Sequence, residues 1–129
     1  ENGLDARAMA HLGFMHAHGV GGGGAPANNE TAVEWFTRSA EQNDPVGLNG
    51  LGWCLMHGIG VERDANAAAR KFKEAAALGS AEAMYNLGVL QLRGDGGVDQ
   101  SPPQAFASFV AAARRGHQLA QYQAGVMLR

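Results

Sequence analysis

A chain of 129 residues is the size of one ordinary domain, and its 46% hydrophobic content is enough to bury a core. The formal net charge of -2 provides no basic field to hold nucleic-acid phosphates or an anionic membrane surface, which excludes both as partners. The apolar stretches fall far short of the roughly 20 residues that cross a bilayer, and this predicts a soluble protein.

A motif of about 36 residues recurs along the chain. A Leu-Gly pair or its equivalent stands at four places: Leu12-Gly13, Leu51-Gly52, Leu87-Gly88 and Ala124-Gly125. Between these places, an alanine is followed four residues later by a phenylalanine, at Ala32 and Phe36, Ala68 and Phe72, and Ala105 and Phe109. Small residues follow three and four positions further on, and these offsets place the whole set on one face of a helix. Each unit is therefore predicted to be a helix A, a glycine-containing turn and a helix B.

The repeat divides the chain into three complete units and part of a fourth. The predicted ranges are 4–43, 44–79, 80–116 and 117–129. The first unit is longer than the second because of a glycine-rich turn from Gly21 to Pro26, and the fourth stops within its helix A. Repeats of this kind bury their apolar faces only against one another, so we expect one α-solenoid segment of about three and a half units from a longer array.

Start and stop signals agree with this division. Asp44-Pro45 predicts the start of a helix A, because proline is tolerated in the first helical turn. Ser101, followed by two prolines and Gln104, predicts the start of a helix B through a capping box. The ends of the B helices are predicted to take positive φ, at Asn43, Gly79 and Gly116.

The pattern Ala-x-x-x-Leu-Gly, then a turn glycine, then Ala-x-x-x-Phe-x-x-Ala-Ala-x-x-Gly, resembles the Sel1-like repeat over essentially the whole chain. The second unit matches most fully, from Gly47 through Leu51-Gly52 to Gly79. The resemblance implies an all-α, right-handed superhelix related to tetratricopeptide arrays, with A helices on the concave side and B helices on the convex side. It also implies protein binding without catalysis.

A narrower resemblance concerns the run from Asn28 to Ala32 and the later run from Asn43 to Gly47, which look like the lumenal Sel1-like adaptor of endoplasmic-reticulum ubiquitin ligases. It implies a scaffold in the endoplasmic-reticulum lumen that holds a client glycoprotein or a ligase subunit, with dimerisation in some members. Asn29-Glu30-Thr31 is a sequon, so Asn29 is a predicted glycosylation site. The alternatives are a homo-oligomerisation module and a bacterial Sel1-like repeat protein in secretion or envelope regulation.

One face of each helix A is the candidate binding surface. If Ala8, Leu12 and Met15 mark the buried face, the opposite face carries aromatic and apolar side chains that would suit a peptide or a helix. The residues predicted to line this concave groove are Phe14, Asn49, Trp53, Met56, Tyr85, Val89 and Leu92. In the alternative interpretation, these side chains pack between successive A helices or under neighbouring repeats. The unpaired helix A of the fourth unit predicts an oligomer end at Tyr122, Val126 and Leu128.

No grouping of residues favours catalysis or metal binding. A structural zinc ion needs four ligands and a catalytic one needs three, whereas Cys54 and His57 have no further ligands at suitable spacing. Cys54 falls at a core position of the repeat, which predicts a buried and inert thiol. We therefore predict a protein without enzymatic activity, cofactor or metal.

Overall fold

The computed structural model describes residues 5–18 and 28–128. Within these residues lie seven helices: α1 (Ala6–His18), α2 (Asn29–Glu41), α3 (Pro45–His57), α4 (Ala65–Ala77), α5 (Ala81–Arg93), α6 (Pro102–Arg114) and α7 (Gln118–Met127). Odd-numbered helices are the predicted A helices and even-numbered helices the predicted B helices. The described part contains no strand, which confirms the all-α solenoid. The predicted turn from Gly21 to Pro26 lies outside the described residues.

Each helix packs against the next one in the chain, and α1 also contacts α3. This connectivity stacks the A helices of successive units beside one another, with the B helices on the other side. None of the described helices is both long and apolar enough to cross a membrane.

A phenylalanine from helix B forms the centre of each unit. Phe36, Phe72 and Phe109 are fully buried, and each ring lies against the Leu-Gly glycine of helix A in its own unit. A Cβ at Gly13 would lie 2.6 Å from a ring carbon of Phe36, and one at Gly52 would lie 2.8 Å from Phe72. A glycine inside a helix costs about 1 kcal/mol relative to alanine, and this close approach of the two helices is what compensates for it.

The predicted helix boundaries are confirmed, with one change. The Asp44 carboxylate accepts hydrogen bonds from two N–H groups in the first turn of α3, at 3.1 and 3.3 Å. Ser101 Oγ accepts from the N–H of Gln104 at 3.3 Å, but the Ser101 N–H donates to the Gln91 carbonyl at 2.8 Å. The capping box is therefore only half formed. The B-helix ends take the predicted positive φ, 60° at Asn43, 100° at Gly79 and 90° at Gly116.

One predicted core residue is exposed. Met15 has 47% of its surface accessible, whereas Cys54 and Leu90, at the same position of later units, are buried. Cys54 is covered by helix B of the preceding unit, through Ala32 and Phe36. Within the described residues no helix B precedes α1, so Met15 lacks the cover that Cys54 has, and its assignment to the buried face is wrong.

Candidate protein-binding groove

An open groove of about 570 Å³ lies on the A-helix side of the solenoid. Its walls come from α1, α3, α5 and α7 and from the N-cap residues of α5 and α7, and no B helix contributes. The lining residues are Phe14, Val46, Asn49, Gly50, Trp53, Ser80, Glu82, Tyr85, Asn86, His117 and Leu119. The groove therefore crosses four successive units.

Four of the seven predicted groove residues line it, namely Phe14, Asn49, Trp53 and Tyr85. The other three are half-buried against the interior. Met56 packs on the cluster around Phe72, and Val89 and Leu92 pack on the cluster around Phe109. These three side chains therefore contribute to the interior and do not line the groove.

The groove lies nearer the N-terminal ends of the A helices than the sequence pattern predicts. Its lining positions repeat relative to the Leu-Gly glycine. Six residues before it are Val46, Glu82 and Leu119, and eight residues before it are the N-caps Ser80 and His117. The predicted face begins three residues before the glycine and continues towards the C-terminal end of the helix, so it does not include these positions.

A link between neighbouring units recurs at this end of the A helices. Arg7 Nε donates to both carboxylate oxygens of Asp44 at 3.2 Å, joining α1 to the N-cap of α3. Glu82 in the third unit and His117 in the fourth occupy the equivalent positions. The His117 Nε2–H donates to the Glu82 carboxylate. Complementary side chains at a spacing of one unit are the sequence signal that would have found both pairs.

His117 is held from three sides. Its Nδ1 accepts a hydrogen bond from the N–H of Ala120 at 3.1 Å, which makes His117 the N-cap of α7. Its ring stacks on Tyr85, with 4.8 Å between centroids and 22° between planes. With Nδ1 as the acceptor, the ring N–H at Nε2 points at Glu82.

Two amide side chains meet on the groove wall. Asn86 Nδ2 donates to Asn49 Oδ1 at 3.0 Å, which joins α5 to α3. This bond satisfies one acceptor and one donor of the pair, and each side chain retains further hydrogen-bonding capacity. The wall can therefore offer both donors and acceptors to a bound peptide.

The family model described as the Sel1 repeat matches residues 6–44, 45–80 and 81–117. The chain belongs to the Sel1 repeat family. The matched ranges lie within two residues of the unit boundaries that the sequence pattern predicts.

Solved Sel1 repeat structures share the fold. A Sel1 repeat protein from Oxalobacter formigenes is 25% identical, with a TM-score of 0.81 over 94% of this chain and 48% of that one. A protective antigen of uropathogenic Escherichia coli strains with an SLR fold is 27% identical, with a TM-score of 0.83 over 95% of this chain and 25% of that one. Cysteine-rich protein B of Helicobacter pylori is 28% identical, with a TM-score of 0.66 over 72% of this chain and 69% of that one.

The chain spans about half or less of the length of the first two relatives. None of the curated proteins is similar enough to count as a match. The comparisons therefore establish that the chain belongs to the Sel1 repeat family.

The last described Sel1 helix has an open apolar face, which we call the end face. Its residues are Leu119, Tyr122, Val126 and Leu128, with Tyr122 and Leu128 70% and 73% exposed. At Gly125, the equivalent of Gly13 and Gly52, a Cβ would meet nothing within 4 Å. Among the described residues, no helix-B phenylalanine lies against Gly125 as it does in the other Sel1 units. The residues predicted to form an oligomer end, Tyr122, Val126 and Leu128, are all exposed, and their role stays a prediction.

Asn29, the predicted glycosylation site, is exposed and is the first residue of α2. The neighbouring Asn28 is the N-cap, and its side chain accepts from the N–H of Thr31 at 3.1 Å. The acceptor amide of Asn29 is thus on the surface, and its glycosylation stays a prediction.

Cys54 lies in the core behind the groove and not in its wall. It is fully buried beside Ala32 and Phe36, and burial raises the pKa of its thiol to about 11. The thiol is therefore protonated at neutral pH, as expected of an inert structural cysteine. Across residues 5–18 and 28–128, no three His, Cys, Asp or Glu side chains are grouped so that they could hold a metal ion.

Proposed function

We propose that this Sel1 repeat chain is a non-enzymatic scaffold whose groove binds an exposed segment of a partner protein. The proposal rests mainly on the open groove across four A helices. The groove presents aromatic rings next to the amide side chains of Asn49 and Asn86, which can form further hydrogen bonds. Rings such as Trp53 and Tyr85 provide large contact areas with little loss of side-chain entropy, which is why they dominate binding hot spots. Sel1 repeats in general mediate protein–protein interactions, and this supports the same role here.

The proposal is tested by selecting random dodecapeptides displayed on phage against the immobilised chain. The site of the best peptide is then mapped by chemical-shift changes in ¹⁵N-labelled protein. We expect the largest changes at the backbone amides of Asn49, Trp53, Tyr85 and Asn86, with small changes along α2, α4 and α6. Selection of no peptide, or changes confined to the B helices, would contradict a groove-binding scaffold.

A narrower proposal concerns the cellular compartment in which the scaffold acts. An adaptor in endoplasmic-reticulum-associated degradation is favoured by the sequence runs around Asn29 and Asn43, whereas the solved relatives from Oxalobacter, Escherichia and Helicobacter favour the bacterial alternative. Peptide N-glycosidase treatment of the protein from its natural source separates the two. A shift in electrophoretic mobility that Asn29→Gln abolishes would support a lumenal adaptor, and an unchanged mobility would favour the bacterial role.

A second candidate function is self-association through the end face. Exposed Tyr122 and Leu128, next to the open position at Gly125, favour this role, because large exposed apolar side chains in a cluster mark contact surfaces. Sedimentation equilibrium should give a dimer for the parent chain and a monomer for the Val126→Glu/Leu128→Glu variant. Leu78→Glu, at an exposed leucine outside the end face, is the matched control and should stay dimeric. A monomeric parent chain would exclude this candidate.

A further inference from the structure

We propose that the groove selects a partner segment that carries a basic side chain, and that Glu82 is the residue that recognises its charge. This inference rests on the proposed groove-binding function and adds the chemical class of the segment.

Glu82 is the one charged side chain among the described residues that line the groove, which include no lysine or arginine. Its side chain is 65% exposed. Within the described part of the chain, its carboxylate has His117 as its one hydrogen-bond partner. A carboxylate has two oxygens and about four acceptor positions, so most of its capacity remains for a ligand.

His117 uses only one of these acceptor positions. Its Nδ1 accepts from the Ala120 N–H at 3.1 Å, so it meets Glu82 through the single hydrogen bond of Nε2. The equivalent link between the first two units is different, since Arg7 neutralises Asp44 there. Of these two equivalent links, the one at Glu82 pairs the carboxylate with no lysine or arginine, and that link lies in the groove wall.

The surroundings of Glu82 suit the rest of a lysine or arginine. Tyr85 and Leu119 line the groove with Glu82, and Trp53 lines it from α3. Apolar side chains can cover the aliphatic part of a long basic residue while its charged end reaches the carboxylate. Aromatic rings also attract cations, whereas an acidic segment would meet repulsion from Glu82 with no basic residue to offset it.

The test uses the same phage-displayed dodecapeptides, selected in parallel against the parent chain and against Glu82→Gln. The substitution removes the charge but keeps an oxygen that accepts from His117, and a circular-dichroism melt checks folding. Glu34→Gln, an exposed glutamate on α2 away from the groove, is the matched control. The best peptide from the parent selection is then titrated against all three proteins by fluorescence anisotropy at two salt concentrations.

We expect the parent and Glu34→Gln to enrich lysine or arginine at one peptide position, and Glu82→Gln to lose that enrichment. The affinity of the best peptide should fall about two- to fivefold in Glu82→Gln, the size of an exposed ion pair, and should depend less on salt. Groove-binding peptides without basic enrichment, or an unchanged affinity for Glu82→Gln, would overturn the charge preference and leave the scaffold function intact. Failure to select any groove-binding peptide would overturn both.

Discussion

At the scale of single residues, the glycine that follows each helix-A leucine is explained by the phenylalanine it faces. At Gly52 a Cβ would lie 2.8 Å from the buried ring of Phe72, whereas at Gly125 it would meet nothing within 4 Å. The two positions are equivalent in the repeat, so they separate the effect of packing from the helix propensity of glycine.

We predict that Gly52→Ala lowers the free energy of unfolding by about 1–2 kcal/mol, because the cost of overpacking exceeds the gain in helix propensity. Gly125→Ala is the matched substitution and should be neutral or raise the free energy of unfolding by up to about 1 kcal/mol. Urea denaturation followed by circular dichroism measures both. Equal effects of the two substitutions would show that contact with phenylalanine does not explain why glycine occupies this position of the repeat.

The buried thiol of Cys54 gives a second prediction at this scale. Its pKa is raised from 9.0 to about 11 by burial, so the folded chain holds the thiol proton more tightly than the unfolded chain does. The resulting contribution to stability is complete below about pH 9 and is lost as the pH rises towards about 11.

Comparison with Cys54→Ala isolates this effect. Between about pH 9 and 11 the free energy of unfolding should fall more steeply for the parent chain than for the variant, which lacks the titrating group. Parallel slopes would contradict the assigned burial. In the parent chain at neutral pH, a disulfide reagent should label Cys54 slowly until urea unfolds the chain.

At the scale of helices, polar side chains at the N-caps fix where α2 to α7 begin. Ser101 is the clearest case, because its Oγ accepts from the Gln104 N–H and two prolines follow it in the first turn of α6. Ser101→Ala should lower the free energy of unfolding by about 1 kcal/mol, and Ser101→Asp should preserve most of it. Thermal melts of the three proteins provide the check, and identical midpoints would mean that the cap contributes nothing.

Helix boundaries could be predicted because their determinants are local. A cap, a first-turn proline or a positive-φ residue such as Asn43 acts within a few residues of the boundary, and the repeat supplies several copies of each signal. Only half of the predicted capping box at Ser101 forms, because the Ser101 N–H donates to the Gln91 carbonyl on the preceding helix A. A tertiary contact replaced the local one.

At the scale of the whole molecule, the repeat predicts the order of helices, while the groove depends on how the units are stacked. Phe14, Asn49, Trp53 and Tyr85 were predicted because they share one helix face. Glu82 and His117 were not, because they meet only when the first turn of one helix A reaches the N-cap of the next. The exposure of Met15 likewise depends on which unit precedes it.

The scaffold function depends on the partner segment lying in the groove between the A helices, and tryptophan fluorescence tests this directly. The chain has two tryptophans, Trp53 in the groove wall and Trp35 on α2. In a Trp35→Phe variant, saturating amounts of the selected peptide should shift and quench the emission of Trp53, and in Trp53→Phe the emission of Trp35 should stay constant. A response confined to Trp35 would place the partner on the B-helix side and contradict the groove as the binding site.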